Sequence, residues 1–363
     1  EVGDAAERAM QEEGVFYAGY EVPFFVEEND VDENPWLEDG VEQDRGNEIN
    51  PGGTDWWAEA IGAYTAWNYE QWFQDVSVGV VDSGFYTQHK DLVDNTAVRM
   101  LPGYEENTLN YHGTAVTGII GAADNEIGLR GVASSRYHQL TIYCADWSPV
   151  TNFEGAEDYV NMIVTGEYTE AIKEMVELDA KVINNSWGFT KYSPFEETIK
   201  RMQYITNKQP MDMWSVYGSY ENCMRQTAIH AMSMLASLLS AGEDVLIVQS
   251  AGNGLDNGGQ PLSTDENCGV FGFITPELFQ EIYGNALGGE ITYEELYSHI
   301  LIVGAFQNWR TEDEKYLMCN WSNFGPTIDL CAPGNQIFTT TDSTGQEADG
   351  SRYTHQVSGT SAA

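Results

Sequence analysis

The sequence predicts an α/β protein built on a mostly parallel sheet with helices on both faces. Three observations lead there. Short apolar, β-branched runs recur at Val76-Ser77-Val78-Gly79-Val80-Val81, Val245-Leu246-Ile247-Val248 and Ile300-Leu301-Ile302-Val303. Continuous runs of this kind suit strands buried on both faces. Between them lie stretches with helical spacing, 167–178 (Ala171, Ile172, Met175, Val176 and Leu178 apolar) and 227–239. Strands alternating with helices indicate βαβ units, whose functional groups collect beyond the carboxyl ends of the strands.

Taken in order, residues 4–13 read as a short amphipathic helix, with Ala5, Ala6, Ala9 and Met10 on one side. An extended segment follows at 14–20. Residues 27–48 are dense in Asp, Glu, Asn and Gly and read as a solvated linker, closed by Pro51-Gly52-Gly53. The first buried-strand run then ends on an acid, Asp82. Residues 116–122 read as a small-residue helix, and Lys181-Val182-Ile183-Asn184-Asn185 as a short strand. The sequence has neither an internal repeat nor a low-complexity tract.

Composition narrows the functions. The 363 residues are 42% hydrophobic and 12% aromatic, enough for a large core. Lys and Arg number 16 against 57 Asp and Glu, a net charge of −41. Such a surface repels nucleic acid, whose binding depends on cations neutralising phosphates. It suits solubility, cation binding or a salty or extracellular setting. The sequence lacks an apolar run of about 18 residues, so no membrane span is expected. The cysteines Cys144, Cys223, Cys268, Cys319 and Cys331 lack C-x-x-C spacing, which disfavours zinc. Cys319 and Cys331 are a possible pair. Neither Glu1 nor Ala363 reads as a natural terminus, so the chain is expected to be a fragment or processed form.

Three segments carry the chemistry. Val81-Asp82-Ser83-Gly84 puts an acid at the end of a buried strand; His112-Gly113-Thr114 puts a histidine at the start of a small-residue helix; Gly359-Thr360-Ser361-Ala362-Ala363 puts a serine at an expected helix start. A serine hydroxyl is a weak nucleophile until a histidine takes its proton. A buried carboxylate fixes the histidine tautomer and stabilises the imidazolium. Ser250-Ala251-Gly252-Asn253 adds a side-chain amide just after a buried strand, a donor for a developing oxyanion. The order Asp, His, Ser adds to the case.

These segments make the chain resemble the subtilisin-like serine proteases, the subtilases. Further landmarks are His89-Lys90-Asp91-Leu92, Asn185-Ser186-Trp187-Gly188, Trp321-Ser322-Asn323-Phe324-Gly325 and Ala332-Pro333-Gly334. The resemblance runs from about Asp55 onward. It implies a subtilisin-like three-layer fold and a serine endopeptidase made as a zymogen. Asp82, His112 and Ser361 would be the triad and Asn253 the oxyanion-hole side chain. Ser186, Trp187, Gly188, Ala251 and Gly252 would bind peptide or protein substrates.

The resemblance further implies a structural Ca²⁺ held by the Asp91 carboxylate, the Asn125 side chain and the carbonyls of Ala123, Ile127 and Leu129. It divides the chain into the remnant of an inhibitory propeptide at 1–27, an acidic linker at 28–54 and a catalytic domain at 55–363. It also implies a secreted or cell-surface location. Departures are Ala115 for a usual histidine, Thr117 for an alanine, and Ser358 for an asparagine, with insertions expected near 202–223 and 255–299. The family continues with a buried helix after the serine, so a catalytically incompetent fragment or a peptide-binding pseudoprotease is the alternative. A glycoside hydrolase using paired carboxylates leaves the Ser361, His112 and Asn253 segments unexplained.

Overall fold

Strand β1, Val76–Asp82, shows why the molecule has layers. Its side chains alternate between the two faces of the sheet, and both faces are apolar. Val78 and Val80 pack with Phe85, Val116, Leu140 and Ile142, while Val81 belongs to the cluster holding Ile183, Ile247 and Ile302. Each fully buried residue of this type contributes about 1.5–3 kcal/mol, against about 1 kcal/mol net for a neutral hydrogen bond. Apolar burial therefore holds the layers together. Polar contacts do the finer work of positioning.

The computed structural model describes residues 56–93, 96–106, 111–125, 128–146, 168–188, 220–254, 261–264, 269–284, 291–308, 316–342 and 351–363. All lie in one compact unit, Pro35–Ala363. The expected propeptide remnant and linker fall outside the described residues.

Among these, helices α1 (Trp56–Ala60) and α2 (Ala63–Trp67) precede β1. Then come α3 (Lys90–Val93), β2 (Thr96–Met100), α4 (His112–Gly121), β3 (Leu140–Asp146), α5 (Tyr168–Glu177) and β4 (Val182–Asn185). Helix α6 (Tyr220–Ser240), β5 (Leu246–Ser250), α7 (Pro276–Ile282), α8 (Tyr293–Tyr297) and β6 (Ile300–Gln307) follow. Strands β7 (Leu317–Met318), β8 (Leu330–Pro333), β9 (Ile337–Asp342) and β10 (Ser351–Val357) complete the described chain.

The main sheet runs β2-β3-β1-β4-β5-β6-β7, with β8 also on β6. Its pairings are parallel except β6 with β7. Helix α4 packs on the Val78/Val80 face; α5 and α6 pack on the other through Ile172, Met175, Met232 and Leu235. The expected α/β architecture with helices on both faces is what the chain forms.

Some boundaries differ from expectation. Helix α6 begins at Tyr220, earlier than the apolar stretch suggests. Its added turns carry a buried Met224 and an Arg225–Glu281 ion pair to α7. Residues 359–362 form a turn closed by Ala362 N–H to Gly359 O at 3.1 Å. The Ser361 carbonyl accepts from Ser186 Oγ at 3.0 Å. Where residues 255–299 are described, they form α7, α8 and a short 3-10 turn at Val270–Phe273. Phe271, Ile274, Phe279 and Leu296 anchor that region in the main core.

Candidate active site

Asp82 closes β1, between β3 and β4, with only 2% of its surface exposed. The turn after it, Ser83-Gly84, receives the start of α4: Gly113 N–H donates to Ser83 O at 2.7 Å and Thr114 N–H to Gly84 O at 2.9 Å. The first N–H groups of a helix have no partner within the helix, so the turn supplies what α4 lacks. That exchange places His112 over Asp82. His112 Nδ1 donates to Asp82 Oδ1 at 2.6 Å, and Ser83 N–H donates to the same oxygen at 2.6 Å. The negative charge of Asp82 raises the His112 pKa above its ordinary 6.5; burial opposes this and the direct hydrogen bond adds to it.

Ser361 reaches the site differently. Its hydroxyl donates to Ser186 O at 2.8 Å, while Ser186 Oγ donates to Ser361 O at 3.0 Å. One residue earlier, Thr360 N–H donates to Asn253 Oδ1 at 2.8 Å, and Gly252 N–H donates to Thr360 Oγ1 at 3.1 Å. Using its oxygen this way orients Asn253, leaving its Nδ2 on the other side of the amide. A Cβ built on Gly359 would lie 3.3 Å from Asn253 Nδ2, 3.7 Å from Ser361 N and 3.9 Å from Ser361 Oγ. All three atoms thus lie within 4 Å of one point beside Gly359.

The Ala251-Gly252-Asn253 segment continues beyond β5. Ala251 N–H donates to Val303 O, and Asn323 bonds to it twice: N–H to Gly252 O at 3.0 Å and Nδ2 to Ala251 O at 2.9 Å. Gly252 has φ +96°, a left-handed conformation that L side chains rarely adopt. Ser186 is buried, Trp187 packs edge-on to Tyr168 at 5.0 Å, and Gly188 is exposed. All nine expected catalytic and cleft residues are thus described. They lie at the ends of β1, β4 and β5, at the start of α4 and in the turn at 359–362.

Three contributors were missed in the sequence. Thr360 falls inside the Gly359-Thr360-Ser361 motif, which gives it no role of its own. Asp146, beside Asp82 in the register of β3 with β1, accepts Gly84 N–H at 2.9 Å. Gln249 lies in an apolar strand run, and a polar residue there was a usable signal.

Asp91 is fully buried against the loop expected to hold calcium. Ala123 N–H donates to Asp91 O at 2.6 Å, Leu129 N–H to Asp91 Oδ2 at 2.9 Å, and Asn125 Nδ2 to Lys90 O at 3.5 Å. Ile127 lies outside the described residues. A buried carboxylate is the donor chemistry that suits a hard, oxygen-seeking cation. Among the described residues no three or more His, Cys, Asp and Glu side chains gather to hold a metal.

The possible Cys319–Cys331 pair does not form. Val303 pairs with both β5 and β8, and Phe306 with both β7 and β8, so β7 and β8 flank β6 on opposite sides. Two strand spacings of about 4.8 Å exceed the roughly 7 Å that a disulfide spans between Cα atoms. Both cysteines are free, and burial pushes the Cys319 thiol up to about 12. His89 is buried and accepts Asp91 N–H on Nδ1 at 3.1 Å, as a structural histidine would.

The model of the subtilase family matches residues 74–363, and the chain belongs to that family. An extracellular serine protease of Aeromonas sobria is 37% identical over 95 residues, covering 24% of this chain and 13% of the relative. Subtilisin-like protease 2 of Plasmodium falciparum is 25% identical over 185 residues, covering 44% of this chain and 13% of the relative. Each match therefore spans a small part of the relative's length. Among solved structures, fervidolysin from Fervidobacterium pennivorans, described as a keratinolytic enzyme related to subtilisin, has a TM-score of 0.44 at 20% identity, over 85% of this chain and 37% of that one. The prenylagaramide maturation protease PagA has a TM-score of 0.46 at 16% identity, over 83% and 75%. Among the described residues, no helix is long and apolar enough to cross a membrane.

Proposed function

We propose that the protein is a serine endopeptidase in which Ser361 attacks the scissile carbonyl, His112 is general base and then general acid, and Asp82 holds the His112 tautomer. The observation that carries this reading is the 2.6 Å bond from His112 Nδ1 to a buried Asp82. With Nδ1 committed as a donor, Nε2 of the neutral ring is left to accept a proton. In the free enzyme the Ser361 hydroxyl rests on Ser186 O. Acylation exchanges that bond for one to His112 Nε2, a tightening common when substrate binds. Asn253 Nδ2 and the Ser361 N–H then stabilise the oxyanion.

The substrate backbone pairs with Ser186, Trp187 and Gly188 as an added strand, and Ala251 and Gly252 form another wall of the cleft. Calcium, where bound, supplies a structural cross-link between Asp91 and the 123–129 loop. Residues 1–27 act as the remnant of an inhibitory propeptide of a secreted or cell-surface zymogen. The extracellular description of the Aeromonas relative favours export.

The test is hydrolysis of casein by the full-length, calcium-loaded protein beside its Ser361→Ala variant. Cleavage by the first and not the second is expected. Equal activity, or none in a folded sample freed of residues 1–27, would falsify the peptidase reading and leave the peptide-binding pseudoprotease.

A further inference from the structure

We infer that Gln249 is a positioning residue for the substrate-binding end of β4, acting through a buried amide pair with Asn185. The inference rests on the peptidase reading above. Gln249 interrupts the apolar run of β5 and lies beside Asn185 in the parallel register of β4 with β5. Both side chains are 0% exposed. A buried amide is costly unless its hydrogen bonds are made, so the partners of this pair indicate its role.

Asn185 Nδ2 donates to Gln249 Oε1 at 2.6 Å. Gln249 Nε2 has two hydrogens and faces four oxygens: Trp187 O at 2.7 Å, Asn185 O at 3.0 Å, Ser250 O at 3.1 Å and Ser250 Oγ at 3.3 Å. The two nearest are the carbonyls flanking Ser186. Strand β4 ends at Asn185, so Trp187 lies beyond the ladder, and a side chain holds its carbonyl in place of a neighbouring strand. Ser186 between them exchanges both of its oxygens with Ser361 and accepts Asn184 Nδ2 on Oγ at 2.9 Å. Gln249 thus holds the carbonyls of the residues on both sides of the one that touches the nucleophile.

Two further observations favour positioning over plain stability. A Cβ on Gly269 would overlap the Gln249 amide, so the chain keeps a glycine where that amide needs room. Asn185 Oδ1 is buried without a hydrogen-bond partner. An apolar pair of similar size would leave no such orphan, so stability alone does not account for the pair.

The experiment uses the full-length protein and fluorogenic peptide amides with one or four residues on the acyl side of the scissile bond. In the parent enzyme the longer peptide is expected to have the higher kcat/KM, because it pairs with more of the binding strand. Gln249→Met keeps the volume and removes both donors. It is expected to lower the long-to-short ratio roughly tenfold or more, because misplaced binding strands are costly to rate. Gly269→Ala displaces the same amide and is expected to give the same loss; it carries the test should Gln249→Met not fold. The double variant should lose no more than either single one, as residues acting through one contact are not additive. A lowered Tm with an unchanged ratio, measured well below that Tm, would overturn the inference and leave the peptidase reading standing. A folded parent that cleaves neither peptide would overturn both.

Discussion

Asp82 and His112 are held by the sheet and by a helix end, whereas Ser361 is held by side chains. Asp82 closes a central strand with ladder partners on both sides, and the turn after it receives the first N–H groups of α4. Ser361 lies in a turn tied down through Asn253, Thr360 and Ser186. The acid–histidine half can therefore lose a side chain and keep its backbone geometry. In the serine half, geometry and function depend on the same few polar atoms.

Variants can separate the halves, from the largest expected effect to the smallest. Ser361→Ala removes the nucleophile and should lower kcat by at least about 10⁴-fold with the fold intact, seen as an unchanged circular-dichroism melt. Asp82→Asn should lower kcat by roughly 10³- to 10⁴-fold. It should also move the acid limb of the kcat/KM profile to lower pH, because Asp82 is the main cause of the raised His112 pKa. The same shift fixes a stability sign. A pKa raised on folding stabilises below the unfolded value of 6.5 and loses that contribution as pH rises through the folded value. The Tm gap between parent and Asp82→Asn should thus be widest below pH 6.5 and close above it.

Asn253→Asp keeps the acceptor for Thr360 N–H and loses the Nδ2 donor. It should cost roughly 100- to 1,000-fold in kcat with little change in KM, a magnitude carried over from subtilisin. Asn253→Ala loses the anchor as well, so its Tm should fall where that of Asn253→Asp does not. Calcium removal by a chelator should lower Tm, and Asp91→Asn should abolish the difference. The smallest effect is expected from Thr360→Val, which removes the acceptor of Gly252 N–H and should cost about 1 kcal/mol in a denaturant melt with a few-fold loss of kcat.

How legible the site was in the sequence follows the same division. Runs such as 76–81 and 300–303 announce buried parallel strands because both faces are apolar, and an acid ending such a run is conspicuous. Asp82 is readable for that reason, and His112 from the small-residue helix it opens. Strand β3, with Tyr143 and Asp146 among its residues, and the threonine-rich β9 lack that signal. Their burial depends on neighbours distant in the chain: Thr339 and Thr340 become buried by donating to the Ala115 and Thr114 carbonyls of α4. Ser361 is tied to the end of β4 by Ser186 Oγ, which donates to the Ser361 carbonyl. No local pattern encodes a bond between residues 175 positions apart. The Gln249 amide pair was hidden likewise, for its partners lie across the sheet.

The central claim is that one serine, activated by one histidine, does the chemistry. Its most direct test is the site and pH dependence of fluorophosphonate labelling of the full-length, calcium-loaded protein, followed by peptide mass mapping. The account predicts a single adduct on Ser361, formed at a rate that rises with pH through a His112 pKa above 6.5 and lost in His112→Ala. An adduct on another serine, or labelling of Ser361 that His112→Ala leaves unchanged, would contradict it.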